Sequence, residues 1–197
     1  MELSVDMAQV LVALAAGIAL SASCGFRVFV PPLIVSLASL AGFIHLNPDL
    51  AWMGTWPAAL AFGTAALLEV GAYYIPALDN LLDTMAVPAA TVAGTLLTSA
   101  MFGSDMSPAV RWVLAAIVGG GTALAVSTTT AAARGASTVT TAGMANPVLS
   151  TGELAASATL SVVTIVLPIL GLALAIALVV AFRRWRRRRT GSAVELA

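Results

Sequence analysis

The sequence contains no lysine, a single cysteine and a single histidine, and only 9% of its 197 residues are charged. Each shortage removes a class of explanation. Cys24 alone cannot form an internal disulfide, so redox compartment is not readable. His45 lies in a loop-like stretch without CxxC or HxxxH spacing, which leaves no dedicated transition-metal site. No nucleophile–histidine–acid set exists, so neither an enzyme activity nor a cofactor is expected. Soluble domains carry about 25% charged residues. A chain of this length with so few could not cover itself in water.

What is present is apolar sequence: 60% of residues are hydrophobic and mean hydropathy is +1.00. An integral membrane protein follows, with the lipid bilayer as its first partner. Spans of about 20 residues are expected at Met7–Cys24, Val28–Phe43, Trp56–Ile75, Thr84–Phe102, Ala109–Thr130 and Leu154–Phe182. Pro31-Pro32 and Pro168 are expected to interrupt the runs that hold them, and Pro88 to lie inside its span. "IHLNPDLAWMGTWP" reads as a loop with Trp52 and Trp56 as interfacial anchors. The first span follows an acidic stretch without the basic region of a cleaved signal, and is read as retained. The fold class expected is all-α: a polytopic transmembrane helix bundle of six or seven helices, some broken by proline. One domain, 1–182, precedes an Arg-rich tail, 183–197.

Six of the nine arginines lie in "RRWRRRR", Arg183–Arg189. Juxtamembrane arginine favours the cytoplasm. An N-out, C-in arrangement needs an odd number of crossings, and seven fits if residues 131–146 cross. The cluster is also a candidate contact for anionic lipid. No nucleic-acid-binding domain stands beside it, so nucleic acid is not expected. A homo-oligomer stays open.

Two stretches align without gaps. "AALLEVGAYYIPAL" matches "SATLSVVTIVLPIL" at Ala66/Ala158, Leu68/Leu160, Val70/Val162, Pro76/Pro168 and Leu78/Leu170. Upstream, "GIALSAS" matches "GTALAVS", and an arginine follows each, Arg27 and Arg134. Asn47-Pro48 and Asn146-Pro147 also recur. The shared order points to an internal two-fold repeat, with halves at about 7–102 and 108–182. Such repeats with interrupted helices are a transporter-like pattern.

An ionised side chain at mid-bilayer costs about 2.5–3.5 kcal/mol on insertion scales. Arg27, Glu69, Asp79, Asp83 and Arg134 lie within or at the edges of apolar runs. They are therefore expected to face the interior, with Asn80, around one shared polar centre. Asp79 and Asp83 share a helical face at i and i+4. They read as a capped helix start, with Asp79 at the N-cap, as a two-carboxylate cation or proton site, or as partners of Arg27 or Arg134. Glu69, in mid-span, is either a neutral acid bonded to a neighbouring helix or a relay group. Glu153 reads as a helix-start acid favoured by the dipole. If helices continue through Pro31, Pro32, Pro76, Pro88 and Pro168, carbonyls are freed that need protein or a wet cavity. The hydroxyl-rich "STTTAAARGASTVTT" either packs helices or lines a path past Arg134. Gly119–Gly121 permits close packing and is no phosphate loop.

At "CGFRVFVPPLIVSLASLAG", "LEVGAYYIPALDNLLDTMAVPAATVAGTLLTSA" and "ASTVTTAGMANPVLSTGE" the chain resembles the bacterial membrane family DUF4126, a domain of unknown function, over about residues 8–180. The resemblance implies a small multi-pass inner-membrane protein and transfers no catalytic residue. The leading expectation is a small transporter or channel for an ion or polar solute. The rivals are a non-transporting scaffold or assembly factor, and a lipid-handling protein.

Overall fold

Helix α1, Met7–Phe26, is rich in alanine, serine and glycine, and ten of its residues are buried. Small side chains let neighbouring helices approach closely where lipid offers no hydrophobic drive. α1 is accordingly central, packed against α4, α6, α7 and α8. The computed structural model describes residues 7–73, 76–103 and 106–194, with side chains at 76–81, 83, 182–183 and 185–194 outside the description.

After α1 come α2 (Val30–Leu40), a 3-10 turn (Pro48–Gly54), α3 (Trp56–Ala72) and α4 (Pro76–Met101). A single rod, Pro108–Thr141, follows. It comprises α5 (Pro108–Leu114), a π turn (Ala115–Gly120) and α6 (Gly121–Thr141). The chain closes with α7 (Asn146–Val166) and α8 (Pro168–Val194). No strand occurs among the described residues.

The seam between α1, α4 and the rod is built on glycine and hydroxyls. Ser21 Oγ donates to the Gly94 carbonyl at 2.8 Å and lies 2.7 Å from Thr98 Oγ1. Thr98 Oγ1 reaches the Gly17 carbonyl at 3.1 Å. A Cβ built on Gly94 would stand 2.6 Å from that of Ala123, closer than real contacts allow. The π turn presents two adjacent glycines, Gly119 and Gly120, to Thr98 and Thr95 of α4.

These contacts fix direction. Ser21 meets Gly94 and Gly17 meets Thr98, so α4 runs antiparallel to α1. Ser157 reaches Ser23 and Ser150 reaches Arg27, so α7 is antiparallel to α1 as well. Glu69 reaches Val28, while the Asn47 backbone bonds Ala100 at the far end of α4. α1, α3, the rod and α8 therefore run one way, and α2, α4 and α7 the other.

Burial is inverted relative to a water-soluble protein. Ser21, Ser23, Thr98, Ser157 and Ser161 are fully buried. Leu60, Leu67, Leu68, Ile117 and Ile169 face outward, Leu67 with 77% of its surface exposed. Soluble proteins place these classes the other way round. Among the described residues four helices are long and apolar enough to cross a membrane: Met7–Phe26, Thr84–Met101, Pro108–Thr141 and Asn146–Val166. Three shorter apolar helices, Val30–Leu40, Trp56–Ala72 and Pro168–Ala181, accompany them. The chain is a helical membrane protein.

Three expectations change. Residues 131–141 continue the rod rather than forming a separate crossing. Their hydroxyls bond their own helix: Thr129 Oγ1 donates to the Ala125 carbonyl at 2.6 Å, and Thr140 Oγ1 to that of Ala136 at 2.8 Å. The run Leu154–Phe182 is not one interrupted span but parts of two antiparallel helices, joined at an extended Leu167. Finally, Pro31, Pro32, Pro76 and Pro168 open helices and free no mid-helix carbonyl. At the first turn a missing N–H costs little. Only Pro88 lies inside a helix, α4.

Candidate functional site

Where α1 ends, the chain turns through Arg27–Phe29 before α2 begins. A helix start needs acceptors for its free N–H groups, and the two prolines of α2 have none to offer. Glu69, reaching across from α3, accepts from the Val28 N–H at 2.7 Å and the Phe29 N–H at 3.0 Å. One carboxylate oxygen goes to each. Glu69 is thus the cap of α2, supplied by a different helix.

Arg27 stands at the same break and is 1% exposed. Its Nη2 donates to the Ser150 carbonyl at 2.8 Å and to Ser150 Oγ. The same nitrogen lies 3.6 Å from Glu153 Oε2. Arg134, on α6, grips Glu153 in a fork: Nε donates to Oε1 at 3.2 Å and Nη2 to Oε2. Two-pronged pairing of this kind is the stronger form of guanidinium–carboxylate contact. Both guanidiniums also lie on the ring of Tyr73, 4.0 Å from its centroid for Arg27 and 3.9 Å for Arg134. Cation–π attraction strengthens when the partners are desolvated, and Tyr73 is buried.

Four helices thus meet at one point: α1 through Arg27, α3 through Glu69 and Tyr73, α6 through Arg134, and α7 through Ser150 and Glu153. Among the described residues the cluster holds two guanidiniums and two carboxyl groups. A small cavity of about 10 Å³ lies beside them, bounded by Cys24, Glu69, Tyr73, Ser127, Thr130 and Arg134. That is room for about one water. Thr130 Oγ1 donates to the Gly25 carbonyl at 3.3 Å, tying α6 to the last turn of α1.

Of the residues expected to converge, Arg27, Glu69 and Arg134 do so. Asp79, Asn80 and Asp83 stand in the first two turns of α4, and their side chains lie outside the described residues. α4 begins at Pro76, which puts Asp79 inside the first turn rather than at the N-cap. The cluster does not lie at mid-depth. Roughly 35 Å of helix rise separates Arg111 from Arg134, about the thickness of a bilayer's hydrocarbon core. The cluster is near the end of the bundle where α8 carries its arginines. The middle is dry, filled by Leu20, Cys24, Ala90, Ala93 and Leu97.

Sequence reasoning missed Tyr73, Ser150 and Glu153. Glu153 is not a helix-start acid: α7 begins at Asn146, two turns earlier. Two signals could have found these residues. Tyr73 follows Glu69 by four, on the same helical face. Arg134 and Glu153 lie nine residues before and ten after Gly143 in the turn, as near-facing positions of an αα-hairpin do. At the opposite end of the bundle Arg111, also buried, pairs with the half-exposed Asp49. No three His, Cys, Asp or Glu side chains gather as a metal site would require, among the described residues.

Residues 14–188 match the model of a family described as a domain of unknown function, DUF4126. No curated protein and no solved structure matches the chain.

Proposed function

The chain belongs to the DUF4126 family, and on that premise we propose that it is a carrier for a small ion or polar solute. The observation that carries the reading is the convergence of Arg27, Glu69, Tyr73, Arg134 and Glu153 at the turn after α1, with a one-water cavity against Glu69, Tyr73 and Arg134. Buried ion pairs are poor stabilisers compared with apolar residues of the same volume. Four charged groups from four helices are therefore an expensive way to hold a bundle together. The cluster stands beside the turn between α1 and α2, near one end of the bundle, where a solute entering from that side would meet it. The cavity has room for about one water and the middle of the bundle is filled by apolar side chains, which favours a carrier over an open channel. A continuous pore would need a wetted path through the seam of Gly94, Thr98 and Gly119.

In this reading the helices α1, α2, α3, α4, the rod, α7 and α8 are seven passages, with the amino end outside and the arginine tail in the cytoplasm of the inner membrane. The halves 7–102 and 108–182 are read as related, since Pro76 and Pro168 each open a helix after a break.

The test is flux in reconstituted liposomes across protons, alkali cations and small anions, with Arg134→Lys as the variant. Lysine keeps the charge but loses the fork and the ring contact. Flux by the native protein that Arg134→Lys abolishes, at unchanged melting temperature, is expected. A native protein without flux for any of these ions, together with Arg134→Lys lowering only stability, would establish the scaffold reading instead.

A further inference from the structure

A groove of about 540 Å³ opens sideways on the bundle between the rod and α8. Its walls are Ile117, Val118, Gly121, Ala125, Leu178 and Val179, with Phe26 at one end. All of these are apolar or glycine. Ile117, Gly121 and Ala125 are exposed, so this is surface rather than core. Along the rod the groove runs from Ile117 to Thr130, about 20 Å of helix rise. That exceeds the roughly 15 Å depth of one leaflet's hydrocarbon, half of about 30 Å.

The two ends of the groove differ. One end, at Ile117, lies at the level of the central seam. The other, at Thr129, Thr130 and Val179, points along α8 toward Arg184, about 8 Å of helix rise further on. Arg184 is exposed. It belongs to a run of six arginines in seven residues. An apolar slot one leaflet deep that ends at a basic cluster is complementary to a molecule with an acyl chain and an anionic head.

We infer that this groove is a binding site for one anionic phospholipid, its acyl chain between α6 and α8 and its phosphate at the exposed Arg184. The groove shares Phe26 and Thr130 with the cavity of the buried cluster, but Gly121 and Ala125 line the groove alone, and the inference stands whether or not that cluster transports. Arginine suits a phosphate head because its donors form a fixed fork. Clusters of basic residues just beyond a membrane helix attract acidic lipids by charge alone. The groove adds shape, so the lipid should be retained where charge is screened.

Gly121 supplies the means of testing this. It lines the groove, and a Cβ built on it meets nothing within 4 Å. Gly121→Leu and Ala125→Leu would therefore fill the groove without disturbing the α1–α4 seam. The full chain would be purified from membranes containing phosphatidylglycerol and phosphatidylcholine, and bound lipid counted by native mass spectrometry. Melting temperature would be compared in nanodiscs of either lipid. The native protein should retain phosphatidylglycerol above its bulk proportion and melt higher in it, also at high salt. Gly121→Leu should lower retention about tenfold, equivalent to about 1.4 kcal/mol, and remove the melting difference, with the melting temperature in phosphatidylcholine unchanged. Ala125→Leu should do the same. Retention equal to bulk in the native protein, or equal in all three proteins, overturns the proposal. A dimer that Gly121→Leu dissociates while lipid retention stays constant overturns it too, because the groove's occupant is then a second copy.

Discussion

Single residues at the break after α1 carry unequal loads. Glu69 satisfies two backbone N–H groups at once. Leaving a buried donor without an acceptor costs about 1–3 kcal/mol. Glu69→Ala should accordingly destabilise by about 2–4 kcal/mol, and amide exchange should accelerate at Val28 and Phe29 before the rest of α2. Hydrogen exchange read by mass spectrometry checks this. Uniform exchange across α2 would mean that the carboxylate does not hold its start. Glu153 answers to a different test. It touches both guanidiniums, and removing one partner of a buried pair costs about 3–5 kcal/mol. Glu153→Gln should lose that much thermal stability, while Glu153→Gln with Arg134→Met should recover a large part of it. A double cycle that is purely additive would show that the fork is not an energetic unit. Neither role was legible in the sequence. Arg27 and Glu153 are far apart along the chain, and only the packing of α7 against α1 brings them together. The arginines themselves were legible, because charge in an apolar run demands an interior place.

At the scale of helices the sequence is more forthcoming, and its failures have physical causes. Apolar runs located α1, α3 and α4, and prolines marked breaks. The prolines were misread as interruptions because residue type alone does not say whether a helix enters a proline or starts at it. Residues 131–141 were misread because serine and threonine weaken the apolar signal, yet their hydroxyls can return to carbonyls of the same helix. The turn that follows gives a testable detail. Ala142 has φ 52°, ψ 31°, the left-handed region, and Gly143 follows at φ 82°. An L-residue there costs about 1–2 kcal/mol. Ala142→Gly should thus raise stability by about 1 kcal/mol, read as a higher melting temperature in detergent. The glycine seam gives the opposite sign. Gly94→Ala would drive a methyl to within 2.6 Å of Ala123 Cβ, and should cost about 1–3 kcal/mol. Gly135→Ala, with nothing within 4 Å, should be neutral or stabilising by up to about 1 kcal/mol. Equal effects at Gly94 and Gly135 would mean that the seam is looser than its geometry.

For the whole molecule the decisive asymmetry is between the two ends of the bundle. One end carries the α1 break, Arg27, Arg134 and the arginine run of α8. The other carries Asp49 paired with Arg111, and Trp52 and Trp56 exposed beside them. Arginine near a membrane end is retained in the cytoplasm, whereas acidic residues weigh little in orientation. Eight of the nine arginines lie at the α8 end, and the ninth is neutralised by Asp49. The directions of the helices place the start of α1 and the end of α8 at opposite ends. The molecule should consequently sit with α8 ending in the cytoplasm and the start of α1 outside. A carboxy-terminal fluorescent fusion that matures only in the cytoplasm should be bright, and a phosphatase fusion at the same point inactive. Replacing the six arginines of 183–189 with glutamine should make a measurable fraction of both reporters switch, since Arg27 and Arg134 are committed to Glu153 and Tyr73 rather than to the bilayer surface. An active phosphatase on the native tail would invert the molecule. The buried cluster would then lie nearest the outer face, and a carrier built on it would take its solute first from outside.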